Sequence, residues 1–165
     1  TLRLVIIAWA AYVLNFEIDK STQLSAVVAF GVAIGSIIAA RYISMKNSVK
    51  VLPIGVLMGA FVCSMVFVSS WEYAALLLLF IGIFSGMLIV PLNALLQHRG
   101  HILIGSGHSI AAQNFSENLG ILILSGTYTL MVKYGLPING IVFIFGFFVL
   151  LTMVIASIYY SEDYK

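Results

Sequence analysis

Four polar side chains recur at helical spacing in an otherwise apolar stretch of the chain. Gln113 lies four residues before Glu117, and Asn114 lies four residues before Asn118, so one side of a helix would carry all four. A carboxylate accepts hydrogen bonds from cationic groups, and amide side chains both donate and accept them. This polar stripe could therefore bind a charged group inside an apolar environment.

Two ionisable residues lie deep inside apolar runs. Arg3 lies about 18 Å before Asn15 along a helix and Glu117 about 20 Å after Ile104, so both would reach similar depths near the middle of a bilayer. An ionisable side chain at that depth costs about 3 kcal/mol or more and usually faces a partner or an aqueous cavity. We therefore predict that Arg3 and Glu117 face a central cavity, where they could pair with each other or bind a ligand.

Two structural interpretations compete with a ligand site. The amides of Gln113, Asn114 and Asn118 could hydrogen-bond between helices and hold them together without binding anything else. A structural ion pair between Arg3 and Glu117 is the main alternative to a role in ligand binding. The sequence leaves both alternatives open.

The other reactive side chains do not form a catalytic or metal-binding pattern. His98, His101 and His108 surround a glycine-rich turn but have no cysteine or carboxylate at ligand spacing. Cys63 stands alone in an apolar run, so no disulfide can form within the chain. No nucleophile elbow or phosphate-binding glycine loop is present. We therefore expect no enzyme activity, no catalytic residue, no metal and no cofactor.

The composition places these residues in a membrane. Of the 165 residues 62% are hydrophobic and 8% are charged, with a net charge of +2, whereas about a quarter of an ordinary soluble domain is charged. Most of the surface must therefore face a lipid bilayer rather than water. The few scattered charges also exclude a nucleic-acid partner, since phosphate binding needs a clustered basic face.

The chain contains six apolar segments. They cover residues 1–16, 24–43, 49–68, 73–97, 104–134 and 138–160. Alternating strand patterns are absent, which favours helices. Five segments are long enough to cross the membrane, but the first is shorter than the roughly 20 residues that a crossing needs. Because its apolar pattern is already running at Thr1, we expect a fragment with a truncated first helix.

Basic residues cluster in two of the loops between these segments. Lysine and arginine near helix ends are retained on the cytoplasmic side. The loops after the second and fourth segments carry Arg41, Lys46, Lys50 and Arg99, and the other loops are poorer in cations. These two loops are therefore predicted to be cytoplasmic, and an even number of crossings places both chain ends in the cytoplasm.

Small residues recur four apart in three of the segments, a spacing that lets helix backbones approach closely in lipid. We expect the following residues to pack helices rather than to contact a substrate: Gly31, Gly35 and Ala39, Gly55 and Gly59, and Gly82 and Gly86. Pro91 removes one helix hydrogen bond late in the fourth segment, so we expect a kink or a helix end there. After it, Asn93 and Gln97 lie on one helix face.

Two sequence motifs indicate a family. The stretch VPLNALLQHRGH at 90–101, followed by GSGHSIAAQNFSEN at 105–118, resembles the bacterial lysophospholipid transporter family of the major facilitator superfamily, and TLR at 1–3 is similar to part of its seventh helix. The resemblance implies an all-α polytopic membrane protein, a six-transmembrane-helix bundle that forms one half of such a transporter. Residues 1–165 would be a single membrane domain, the C-terminal half with helices seven to twelve.

The resemblance also implies a function. A secondary transporter of this family moves lysophospholipid, notably lysophosphatidylethanolamine, from the outer to the inner leaflet of the bacterial inner membrane by alternating access. The implied partners are the lysophospholipid, the missing N-terminal six-helix half and a cytoplasmic acyltransferase that reacylates the lipid. The loop ARYISMKNSVK at 40–50 departs from the superfamily pattern, because it lacks the acid of the gating motif.

The charges suit a zwitterionic headgroup, with Arg3 facing the phosphate and Glu117 facing the ammonium. The full set of expected substrate-binding residues is Arg3, Asn93, Gln113, Asn114, Glu117 and Asn118. Two alternatives remain: an exporter of amphipathic drugs or lipids in the same superfamily, and a noncatalytic membrane anchor or assembly subunit in which the two charges only hold helices together.

Cysteine labelling in intact cells tests the predicted orientation, which places Arg41, Lys46, Lys50 and Arg99 in the cytoplasm and Glu17, Asp19 and Glu72 in the periplasm. In a Cys63→Ser background, a membrane-impermeant thiol reagent should modify a cysteine at Asp19 but not one at Lys46. Labelling at Lys46 with protection at Asp19 would contradict the orientation.

Overall fold

The computed structural model of the protein describes residues 18–43, 48, 50–68 and 70–162. Over these residues it is all-helical, as predicted. The first apolar segment, with Arg3, and Lys46 lie outside the described residues. The five α-helices, labelled in chain order, are α1 Ile18–Tyr42, α2 Leu52–Ser64, α3 Trp71–Ile104, α4 Ser106–Lys133 and α5 Ile138–Glu162, and a short 3-10 helix, Met65–Phe67, follows α2.

Three of these helices are long and apolar enough to span a membrane. The stretches are Gln23–Tyr42 in α1, Trp71–Gly100 in α3 and Ile138–Tyr160 in α5, with mean hydropathies of 2.0, 2.6 and 2.8. The sequence predicts two further crossings in α2 and α4, and neither helix meets this standard. The apolar stretch Leu52–Phe67 is shorter, and the N-terminal half of α4 carries the polar stripe, which lowers its hydropathy.

Two helices extend beyond their predicted limits. α1 begins at Ile18, so Asp19 and Lys20 belong to a helix rather than to a loop. α3 continues to Ile104, so His98, Arg99 and His101 form its last turns. The assignment of Arg99 to a loop was therefore wrong. Polar side chains end the apolar pattern of a helix at the membrane boundary, but they do not interrupt its backbone hydrogen bonds.

Pro91 lies inside α3 and does not end the helix. A proline removes one backbone donor and crowds the carbonyl four residues before it, but the hydrogen bonds on either side can persist. Pro91 and Leu88 are buried, so packing holds the chain on both sides of the lost hydrogen bond. Of the two outcomes expected from the sequence, a kink or a helix end, the helix end is not observed.

Glycines bring α1 and α3 into backbone contact. Gly31 and Gly35 of α1 face Gly82 and Gly86 of α3, and a Cβ atom added to Gly31 would lie 3.2 Å from the Cα of Gly82. A Cβ atom added to Gly86 would lie 2.8 Å from the backbone nitrogen of Ser36. At these distances only the hydrogen atom of a glycine fits at the Cα, and any larger side chain would clash with the facing helix. The prediction that these glycines pack helices is confirmed.

The same kind of contact joins α2 to α5. A Cβ atom added to Gly59 would lie 2.7 Å from the Cα of Leu150, and one added to Gly55 would lie 2.6 Å from the Sδ of Met153. Gly146 of α5 approaches α2 in turn, because a Cβ atom there would lie 3.0 Å from the Sγ of Cys63. The glycines of α2 are thus explained by packing as well.

The buried core lies where α1, α2, α3 and α5 meet. Its fully buried side chains include Leu24, Met65, Leu78 and Ile141. By contrast, α4 contributes only half-buried side chains to the edge of this core: Leu124, Tyr128 and Met131. α4 is therefore the helix that the described part of the chain covers least.

A glycine-dependent turn ends α4 and leads into α5. Gly135 has a φ of 75°, a conformation that glycine adopts without steric cost. Its N–H donates to the carbonyl of Val132 at 3.0 Å, and the N–H of Leu136 donates to the carbonyl of Met131 at 3.1 Å. This is the Schellman arrangement, which satisfies carbonyls at a helix C-terminus. Pro137 follows and prevents the helix from continuing.

Replacing a packed glycine should loosen α1 from α3. Gly35→Ala places a methyl group against the backbone of Ile83, and overpacking of this kind costs about 1–3 kcal/mol. The matched control is Gly126→Ala in α4, where an added Cβ meets no atom within 4 Å. In thermal unfolding of the purified protein, Gly35→Ala should lower the Tm and Gly126→Ala should leave it unchanged or raise it. Equal Tm values for the two variants would contradict the close contact.

Candidate functional site

α3 and α4 form a tight helical hairpin, because a single residue connects them. Gly105 joins them with a φ of 84°, a backbone conformation that favours glycine. Ser109 is buried against Gly100 so closely that a Cβ atom on Gly100 would overlap the Ser109 side chain. The N–H of Ser109 also donates to the carbonyl of Gly105 at 3.1 Å. The first turn of α4 is therefore held against the last turns of α3.

The contact between Gly100 and Ser109 sets the level of each residue in the hairpin. Because the helices run in opposite directions with the same rise per residue, Leu96 comes level with Gln113, and Asn93 comes level with Ser116. The polar N-terminal half of α4 thus runs beside the last turns of α3.

Gln113 and Glu117 form a hydrogen-bonded pair on α4. The Nε2 of Gln113 donates to the Oε1 of Glu117 at 2.9 Å, across one helical turn. Gln113 is half-buried and Glu117 is exposed. The other polar atom of the amide, Oε1 of Gln113, is buried and has no hydrogen-bond partner among the described residues. The pair therefore presents an oriented carboxylate beside a buried amide oxygen whose hydrogen-bonding capacity is not met by the described residues.

A cleft of about 490 Å³ opens between α3 and α4 at this pair. Leu96 and Ala112 supply apolar parts of its wall. Its polar lining consists of Arg99, Ser109, Gln113, Ser116 and Glu117. Pockets for small ligands have volumes of about 300–1,000 Å³ and combine an apolar wall with a few polar groups. The cleft has the size and composition of such a pocket and contains both signs of charge.

Asn114 and Asn118 lie on α4 but do not line this cleft. They follow Gln113 and Glu117 by one residue, which turns them about 100° around the helix axis. Both are exposed, and the Nδ2 of Asn118 donates to the backbone carbonyl of Asn114 at 2.8 Å. The single stripe predicted from the sequence is therefore two rows, and one of them faces the cleft.

Asn93 is half-buried on α3 and is not part of the cleft lining, although it lies level with Ser116. Arg3 is outside the described residues, so its predicted pairing with Glu117 stays a prediction. The structure brings together Gln113 and Glu117 and adds Arg99, which sequence reasoning had assigned to a loop. The sequence contained one signal for this: the glycine-rich turn between Arg99 and Glu117, which allows two helices to return side by side.

Among the described side chains, His98 and His108 do not line the cleft. His98 and His108 are exposed near the hairpin end. Within the described ranges, no group of three histidine, cysteine, aspartate or glutamate side chains is placed to hold a metal ion.

Sequence comparison relates the chain to named transporters. It is 41% identical over 163 residues to a lysophospholipid transporter, LplT, of Photorhabdus laumondii, a match that covers 96% of this chain and 40% of that protein. It is 42% identical over 139 residues to the LplT proteins of Yersinia pestis and Yersinia pseudotuberculosis, which covers 84% of this chain and 34% of each relative. The chain thus spans about two fifths or less of the curated relatives it matches. No family model and no solved structure matches it.

Chemical crosslinking tests the placement of α4 against α3. In a Cys63→Ser background, a short bifunctional thiol reagent should link cysteines at Arg99 and Glu117, because both positions line one cleft. The control pair combines Arg99→Cys with Leu122→Cys, since Leu122 is 70% exposed and lies about 180° around α4 from Gln113. Crosslinked peptides identified by mass spectrometry should come from the first pair. Equal linkage of both pairs would contradict the hairpin geometry.

Proposed function

Because the chain is homologous to a part of the bacterial lysophospholipid transporters, we propose that it is the C-terminal six-helix half of a major facilitator transporter. The whole transporter moves lysophospholipid of the lysophosphatidylethanolamine type from the outer to the inner leaflet of the bacterial inner membrane. In such carriers the substrate lies between two helix bundles that open alternately to either side. One half of the substrate site would then come from this chain.

The position of Glu117 is the observation that carries this proposal beyond homology. Glu117, Asn114 and Asn118 are exposed on a helix whose other exposed residues include Phe115 and Leu119. A carboxylate cannot face hydrocarbon without a large cost, so this face of α4 needs water, a ligand or another protein surface. A central cavity between two bundles supplies all three. The exposure of Glu117, Asn114 and Asn118 therefore supports a substrate cavity on this side of α4.

Glu117 has the chemistry to hold the ammonium group of the lipid. Its carboxylate is oriented by the hydrogen bond from Gln113, so the charge is aimed before the lipid arrives. A charge-assisted hydrogen bond to an ammonium is stronger than one between neutral groups. We assign the phosphate to Arg3, as the sequence predicts, and supporting amide contacts to Asn114, Asn118 and Asn93.

The acyl chain needs an apolar path beside the polar headgroup site. Directly after Asn118, α4 exposes the apolar side chains of Leu119, Leu122 and Ile123. A single-chain lipid could therefore keep its headgroup at the polar side chains of α4 and its chain along this apolar surface. On the inner leaflet the lipid would be reacylated by a cytoplasmic acyltransferase, which is a proposed partner of the transporter.

Neutral substitution at Glu117 tests the proposal in the full-length transporter. In proteoliposomes, Glu117→Gln should reduce the movement of labelled lysophosphatidylethanolamine by about tenfold or more, the value of one charge-assisted hydrogen bond. The matched control is Glu72→Gln, since Glu72 is exposed in the first turn of α3. This control should transport at the wild-type rate.

The double variant Arg3→Gln with Glu117→Gln separates a binding site from a structural ion pair. A headgroup site should stay inactive in the double variant, because the lipid has lost both counter-charges. A structural pair should recover folding and transport when both charges are removed, as a membrane assembly subunit would require. Expression level and Tm serve as folding controls. Full transport by Glu117→Gln would remove Glu117 from the site.

A further inference from the structure

Arg99 shares the α3–α4 cleft with Glu117, although the chain between them turns through Gly105. Arg99 lies at the end of the apolar stretch Trp71–Gly100, where a cation can reach the membrane surface. Glu117 lies deeper, because it is eight residues beyond Ser109 and Arg99 is one residue before Gly100. The two Cα atoms differ in level by about 10 Å. The cleft therefore runs from the membrane surface towards the interior.

The two side chains point towards each other along the helix axes, so their charged groups lie closer together along these axes than the two Cα atoms do. Side chains on a helix lean towards the N-terminus of that helix. α3 and α4 are antiparallel, so Arg99 leans towards the interior and Glu117 leans towards the surface. Within the described residues the two form no ion pair, and each keeps its charge available to a third group.

The cleft has a donor end and an acceptor end. The guanidinium of Arg99 offers a planar set of N–H donors that suits a phosphate. At the other end the carboxylate of Glu117 and the unpartnered Oε1 of Gln113 both accept. Ser116 donates its hydroxyl proton to the carbonyl of Ala112 at 2.9 Å, so its oxygen also remains an acceptor. An ammonium group supplies the several N–H donors that these acceptors need.

We propose that this cleft is a second headgroup position, which binds the phosphate of a single-chain aminophospholipid at Arg99 and its ammonium at Glu117 and Gln113. This inference rests on the proposed transport function and deepens it. Glu117 would keep the ammonium while the phosphate passes from Arg3, the residue predicted to hold it, to Arg99 at the membrane surface. The lipid would then leave towards the leaflet on the Arg99 side.

A solvated cation at the membrane surface is the alternative role for Arg99, and Arg41 provides the matched control. Arg41 is an exposed arginine in the last turn of α1, close to the end of the apolar stretch Gln23–Tyr42. It shares the interfacial position of Arg99 but does not line the cleft. An effect of Arg99→Gln that Arg41→Gln does not reproduce therefore belongs to the cleft.

The test measures equilibrium binding to the full-length protein in detergent with four ligands. Three are single-chain lipids of equal chain length: lysophosphatidylethanolamine, lysophosphatidic acid without the ammonium, and monoacylglycerol without the phosphate. The fourth is soluble glycerophosphoethanolamine. Arg99→Gln should weaken binding of both phosphate lipids by about tenfold or more and leave monoacylglycerol unchanged. Arg99→Lys should be intermediate, because lysine is a point charge without the planar fork.

Glu117→Gln should show the complementary pattern. It should weaken the binding of lysophosphatidylethanolamine but not that of lysophosphatidic acid, because lysophosphatidic acid has no ammonium group. Arg41→Gln should leave the affinities for all four ligands unchanged. Wild-type affinity of Arg99→Gln for both phosphate lipids would overturn the site, as would an equal loss for monoacylglycerol. If the wild-type protein bound glycerophosphoethanolamine as tightly as lysophosphatidylethanolamine, the assignment of the cleft to a lipid would be overturned.

The outcomes also separate this inference from the transport proposal. A wild-type protein that binds lysophosphatidylethanolamine through Arg99 but does not move it across proteoliposomes would contradict transport and support the cleft. A transporter in which Arg99→Gln leaves both the KM and the rate unchanged would contradict the cleft and support transport.

Discussion

A carboxylate on an otherwise apolar helix imposes a strict condition on its surroundings. The group loses its hydration in hydrocarbon, and only water, a cation or strong donors can compensate for that loss. In this protein the Gln113 side chain gives Glu117 one donor, at 2.9 Å. One neutral donor does not neutralise a charge, so the polar half of α4 needs water, a ligand or another protein surface beside it.

The rest of the bundle would provide a fixed wall for the proposed cavity. Backbone contact through Gly35 and Gly86 locks α3 to α1, and contact through Gly59 and Gly146 locks α2 to α5. Soluble proteins gain stability by removing large apolar side chains from water. Between helices in lipid this gain is small, and close van der Waals contact between the helices supplies the stability instead. α3 is thus held on one side by glycines and is free on its other side to form the cleft with α4.

Much of the fold was predictable because membrane helices are encoded locally. Backbone hydrogen bonds must be satisfied inside each segment in lipid, so an apolar run is already a helix prediction. The ends of the helices were less predictable. α3 passes Pro91 and continues through Arg99 to Ile104, because neither a proline nor a polar side chain breaks a helix whose neighbours hold it in place.

The sequence by itself determined the class of the protein, the packing role of its glycines and the placement of Gln113 and Glu117 on one side of a helix, since each depends on composition or on spacing within one helix. Only the tertiary structure decided which residues share a cleft. It placed Arg99 beside Glu117 and turned Asn114 and Asn118 away. The physical reason is that helical periodicity orders residues around one axis, whereas the relative level and rotation of two helices are set by the turn at Gly105 and the contact of Gly100 with Ser109.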